Sequence, residues 1–177
     1  MIRISLGEYT LTVSNDYPAF YKEYHKRANL VNVFEGKHDE GTLFFVSVAK
    51  GADWPFLMVM QRYTPGSSSG FYPGVLLLPE THLLFIGAGE RLLAYTLDSP
   101  GKLWEERTWP GFLGWERHRQ FVIMSGEIEL ATWDIHGKKL WDYFVEPPWS
   151  YVLEDDTIHV DVMGKMTSFL LQHGPGK

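Results

Sequence analysis

Cysteine is absent from the 177 residues, and with it go disulfides, thiol nucleophiles and thiolate metal sites. Positive charge is scarce as well: 16 Lys and Arg stand against 22 Asp and Glu, a formal charge of −6. That balance withholds the broad cationic field on which nucleic-acid and anionic-membrane binding depend. No apolar run approaches the roughly 18 residues of a membrane-spanning helix. The start, MIRISLGEYTLTV, alternates polar and apolar residues where a secretory leader needs a continuous apolar block. The expectation is a soluble, cytoplasmic chain with no nucleic acid and no membrane as partner. The 7 histidines include no pair at i, i+4, so no metal is expected, and no cofactor is nominated.

What is present is apolar and aromatic. Hydrophobic residues make up 45% of the chain and charged ones 21%, enough for a core in a single domain, 1–177. Phe, Trp and Tyr reach 15%, with 7 Trp spread from end to end, and aromatic residues favour a pleated, half-buried surface.

The chain also says nearly the same thing twice. YPGVLLLPETHLLFI (Tyr72–Ile86) returns as WPGFLGWERHRQFVI (Trp109–Ile123) at an offset of 37. At the same offset Gly89 falls over Gly126, Trp104 over Trp141, and His136-Gly137 over His173-Gly174, with one pad near a turn. A fixed period of this size marks repeated supersecondary units. ERLLAYTL and EIELATWDI have strand length and content, and DSPG and IHGK supply the turns between them. The reading is all-β: repeated antiparallel meander units of about 37 residues that stack on one another, with a β-sandwich as the competing architecture. The clearer repeats occupy 45–177, after a degenerate first unit at 1–44. There, Phe20, Tyr24 and Ala28 stand four apart after Pro18 and predict a short N-terminal helix.

The pieces Leu97-Asp98-Ser99-Pro100-Gly101-Lys102-Leu103-Trp104 and Trp133-Asp134-Ile135-His136-Gly137-Lys138-Lys139-Leu140-Trp141 resemble the blade element of quinoprotein (PQQ-like) β-propellers. The resemblance implies propeller-like packing in which Trp104 and Trp141 dock one unit onto the next. It does not extend to the cofactor, because no residue matches the family's quinone-binding positions. Five units of 37 residues would need 185, more than the 177 present, so a small or incomplete ring is implied.

Chemistry-bearing residues are thinly spread. Gly66-Ser67-Ser68-Ser69-Gly70 has the form of a nucleophile elbow, but no helix pattern follows it, so a Gly/Ser loop is the better reading. His159-Val160-Asp161 puts a histidine and a carboxylate on one strand face. Glu116, Arg117, His118 and Arg119 form the densest titratable patch. Trp109, Trp115, Trp133, Trp141 and Trp149 are read chiefly as packing between units, with a ligand-stacking surface as the alternative. The candidate binding surface is Trp115, Glu116, Arg117, His118, Trp149, His159 and Asp161. The function that follows is a non-catalytic module binding a protein or carbohydrate ligand. The alternative is a hydrolase acting on a sugar or ester, with an active site assembled from loops.

Overall fold

The structure is a computed structural model, which describes residues 1–34, 41–64 and 72–176. The apolar runs form strands with both faces buried. In β7 (Leu83–Ala88), Leu84 and Ile86 point to one neighbouring sheet while Leu83 and Phe85 point to the other. In β11 (Phe121–Gly126), Val122 and Met124 share one core, and Phe121 and Ile123 share the next. A strand whose alternate residues all meet apolar neighbours reads as a continuous hydrophobic run.

Four sheets follow one another along the chain. Sheet A holds β1 (Ile2–Leu6), β2 (Tyr9–Ser14), β3 (Leu30–Phe34), β4 (Thr42–Lys50) and β5 (Leu57–Tyr63), in the order β1-β2-β4-β5-β3. Sheet B is the meander β6 (Gly74–Leu78), β7, β8 (Arg91–Thr96) and β9 (Gly101–Arg107). Sheet C is β10 (Phe112–His118), β11, β12 (Glu129–Asp134) and β13 (Lys139–Phe144). Sheet D is β14 (Trp149–Glu154), β15 (Thr157–Val162) and β16 (Lys165–Leu170).

Separate apolar cores lie between A and B, B and C, and C and D. A sandwich would have two sheets around one core; this is a stack of blades, all-β and propeller-like, with no closed barrel among the described residues. The helix α1 (Tyr21–Arg27) covers the outer face of sheet A through Tyr21, Tyr24 and Ala28 against Leu43, Phe45, Met58 and Met60. Phe20 leaves the expected stripe: it is the cap before the helix, so its ring turns out toward Trp54 and Tyr21 takes its place. Among the described residues, no helix is long and apolar enough to cross a membrane.

The repeat survives in register. Ala94 stands opposite Trp104 and Thr132 opposite Trp141, each beside a β-bulge. Trp104 donates its indole N–H to the Gly137 carbonyl at 2.8 Å, and Trp141 to the Leu171 carbonyl at 2.6 Å. Each indole thus ties its sheet to the turn of the next one. Gly137 and Gly174 occupy those turns at φ +82 and +71, where a side chain would be strained. A Cβ on Gly174 would also lie 2.5 Å from the Trp141 ring.

Three expectations are corrected. The break between the first unit and the next falls after Tyr63, not at residue 44, because β3 pairs in parallel with β5 and binds both segments into one sheet. Tyr72-Pro73-Gly74 and Trp109-Pro110-Gly111 both lead into a first strand but out of register. Gly74 stands opposite Gly87 as Gly114 stands opposite Ser125, since a bulge in β10 adds length. Trp109 is not packed between units: it precedes β10, outside any strand, and is 67% exposed.

Candidate functional site

The first strands of sheets C and D carry most of the residues expected at a surface. Trp115 on β10 turns inward, edge-on to Trp133 and beside Phe85 and Phe112, and belongs to the core between B and C. Glu116 accepts a hydrogen bond from the Tyr151 hydroxyl of β14 at 2.5 Å. Arg117 pairs with Glu80 in the β6–β7 turn. The His118 ring meets the Asp155 carbonyl in the β14–β15 turn, where Arg119 also reaches Asp155 at 2.6 Å and Asp156 at 3.3 Å. The dense charged patch therefore ties sheet C to its neighbours on both sides. Asp155 and Asp156, in the β14–β15 turn, supply its partners on the sheet D side.

Trp149 borders an aromatic groove beside these residues. It is half-buried, its indole N–H donates to the Glu127 carbonyl at 2.8 Å, and its ring lies within 17° of parallel to Tyr151, with centroids 6.1 Å apart. On one side of it a groove of about 450 Å³ is lined by Leu113, Glu127, Pro147, Pro148, Ser150 and Tyr151. On the other, Asp161, Met163 and Gly164 border a second hollow of about 350 Å³. Burial first, and then the hydrogen bond to Glu116, push the Tyr151 hydroxyl above the usual tyrosine range. The hydroxyl donates to Glu116, which holds its ring in place.

His159 and Asp161 do face the same way, away from the core residues Ile158 and Val160. They lie on the outer face of sheet D, together with the exposed Val152, Met166 and Leu170. Asp161 accepts the Gly164 N–H at 2.7 Å. His159 meets the Ser168 hydroxyl through Nδ1 at 2.7 Å and the Glu154 carboxylate through Nε2 at 3.4 Å. Among the described residues, no group of three or more His, Asp or Glu is placed to hold a metal ion.

The site thus unites Trp149 with Asp161, and Glu116 with Tyr151; Trp115, Arg117, His118 and His159 lie elsewhere. Tyr151 and Ser168 escaped the sequence reading. Tyr151 stands two residues from Trp149 on a strand, which alone places both rings on one face; Ser168 carries no local signal. The Gly66–Gly70 string lies outside the described residues.

No family model matches the chain, and no curated protein matches its sequence. Among solved structures, it is similar to Hsv2 of Kluyvelomyces marxianus at 11% identity, with a TM-score of 0.37, 72% of this chain and 45% of that one covered. It is also similar to the computationally designed Ika8 protein, at 10% identity and a TM-score of 0.44 over 95% of this chain and 44% of that one. Glutaminyl cyclase of Myxococcus xanthus matches at 14% identity and a TM-score of 0.32, covering 93% and 73%. The chain spans less than half the length of the first two.

Proposed function

We propose that this chain is a non-catalytic binding module whose ligand surface is the aromatic groove around Trp149, and that its ligand is a carbohydrate. The observation that carries this reading is the fixed, near-parallel pair Trp149 and Tyr151, set between hollows that also offer Glu127, Ser150 and Asp161. A sugar presents an apolar C–H face to an aromatic ring and hydroxyl groups to flanking acceptors, and rigid aromatic anchors with a few placed polar groups are what such a site requires. Trp149 and Asp161 are the proposed contacts. Glu116 positions Tyr151, while Trp115, Arg117 and His118 support the strand beneath, and His159 lies outside the groove. The test is a glycan array probed with the wild-type chain and with Trp149→Ala. Signals on neutral glycans that vanish in the variant, with its unfolding midpoint retained, support the reading; an array with no signal, or equal signal from both proteins, removes it.

A hydrolase has one observation in its favour, the chain Ser168–His159–Glu154 at 2.7 and 3.4 Å. It ranks second because the face is open, and a serine hydrolase needs donors aimed at the developing oxyanion and exclusion of water. Hydrolysis of p-nitrophenyl acetate that disappears in Ser168→Ala would reverse the order.

A further inference from the structure

The two hollows beside Trp149 carry charge of one sign. Glu127 lines the larger, of about 450 Å³, and Asp161 the smaller, of about 350 Å³, and among the described residues no Lys, Arg or His lines either. Other carboxylates of these sheets are answered: Glu105 by Arg91 and Lys102, Glu106 by Lys139, Asp155 and Asp156 by Arg119. Glu127 and Asp161 have no basic partner among the described residues.

Both are half-buried and set in place beside the rings. The Asp161 carboxylate accepts the Gly164 N–H at 2.7 Å, which takes up one of the roughly four lone pairs such a group offers. Glu127 stands in the β11–β12 turn, where its carbonyl takes the Trp149 indole N–H at 2.8 Å, so its backbone is tied to the ring it flanks. A cleft lined by one sign of charge concentrates ligands of the opposite sign, and the formal charge of −6 adds to that field. Sugar hydroxyls would meet these carboxylates through hydrogen bonds roughly half as strong as those of an ammonium group. An ammonium beside an indole face also gains from the electrostatics of the ring.

Resting on the carbohydrate reading above, we propose that the ligand is an oligosaccharide of amino sugars with free amino groups, lying across Trp149 with one ammonium toward Glu127 and another toward Asp161. Each hollow lies within the roughly 300–1,000 Å³ of small-molecule sites, so successive sugar units have room on both sides of the ring. Because the added attraction is between charges at an open surface, it should weaken as salt rises.

The experiment is a calorimetric titration at low, matched ionic strength and about pH 6, where amines of this kind are protonated. The probes are three tetrasaccharides of one backbone: from chitosan, with free amino groups; from chitin, with the same groups acetylated; and from cellulose, with hydroxyls in their place. Trilysine carries the ammonium groups without a sugar. The chitosan tetramer should bind at least about tenfold tighter than the other two sugars, through two charge-assisted contacts. Asp161→Asn and Glu127→Gln keep the shape and remove the charge; each should weaken the chitosan tetramer by at least about threefold and leave the cellulose tetramer within about twofold. Unfolding midpoints check that both variants are intact. Chitin and cellulose tetramers bound as tightly as the chitosan tetramer overturn this proposal and leave the carbohydrate reading standing. Trilysine bound as tightly as the chitosan tetramer, or a chitosan preference unchanged in both variants, also overturns it. No saturable binding of any of the three sugars overturns the carbohydrate reading itself, and this proposal with it.

Discussion

Truncating Trp141 to alanine removes three things at once. The ring is 8% exposed, is covered by the backbone at Gly174, meets Phe169 edge-on at 5.3 Å and donates to the Leu171 carbonyl. Loss of a buried tryptophan side chain costs about 3–5 kcal/mol, and a buried carbonyl left without its donor accounts for about 1–3 of that. Against the roughly 5–15 kcal/mol that holds a domain of this kind together, the loss is severe. Trp141→Phe keeps most of the ring and gives up the hydrogen bond, so its cost should stay near the lower figure. Trp104→Ala should fall between them, because Trp104 is only partly buried although it stacks on Trp133 at 5.3 Å. Guanidinium chloride unfolding gives midpoint and slope for all three. A Trp141→Ala protein within about 1 kcal/mol of wild type, or Trp141→Phe as costly as Trp141→Ala, would show that the indole does not fasten sheet C to sheet D.

Gly87→Ala should cost about 1–3 kcal/mol by overpacking, because its Cβ would lie 2.5 Å from the Phe112 ring; Gly114→Ala, with nothing within 4 Å, should be nearly neutral, and thermal melts of the pair decide it. Trp109→Ala, at an exposed position, should change stability by less than about 0.5 kcal/mol in the same assay. Burial first, and Glu8 next, raise the Tyr9 pKa to about 12, and Tyr95 and Tyr151 are also raised, chiefly by burial. The fold favours the protonated phenols, so this stability is fully present below the ordinary tyrosine pKa of about 10 and lost as pH rises above it. Urea midpoints that stay level from pH 9 to 12 would contradict that.

Much of the architecture was legible because a local code repeats. Trp104 with Gly137 and Trp141 with Gly174 recur at one offset, and doubly buried strands such as Leu83–Ala88 announce themselves as apolar runs. The composition of sheet A was not legible, since the parallel pairing of Leu30–Phe34 with Leu57–Tyr63 joins segments with no shared pattern. The site was less legible still. Tyr151 and Glu116 lie 35 positions apart, and Glu127 and Asp161 come to the two sides of Trp149 only when two sheets stack. The charged run Glu116–Arg119 announced itself as a patch, yet only the neighbouring sheets reveal that its partners are the Glu80 and Asp155–Asp156 turns.

The claim that ligand meets the chain at Trp149 is tested most directly by its indole N–H resonances. In a nitrogen-15 labelled sample, the 7 tryptophans give separate indole signals, assignable by single Trp→Phe substitutions. Titrating in the neutral oligosaccharide that gives the strongest array signal should shift the Trp149 indole progressively and to saturation, leaving those of Trp104, Trp133 and Trp141 in place. A saturating shift that spares Trp149 and moves another indole would contradict the account.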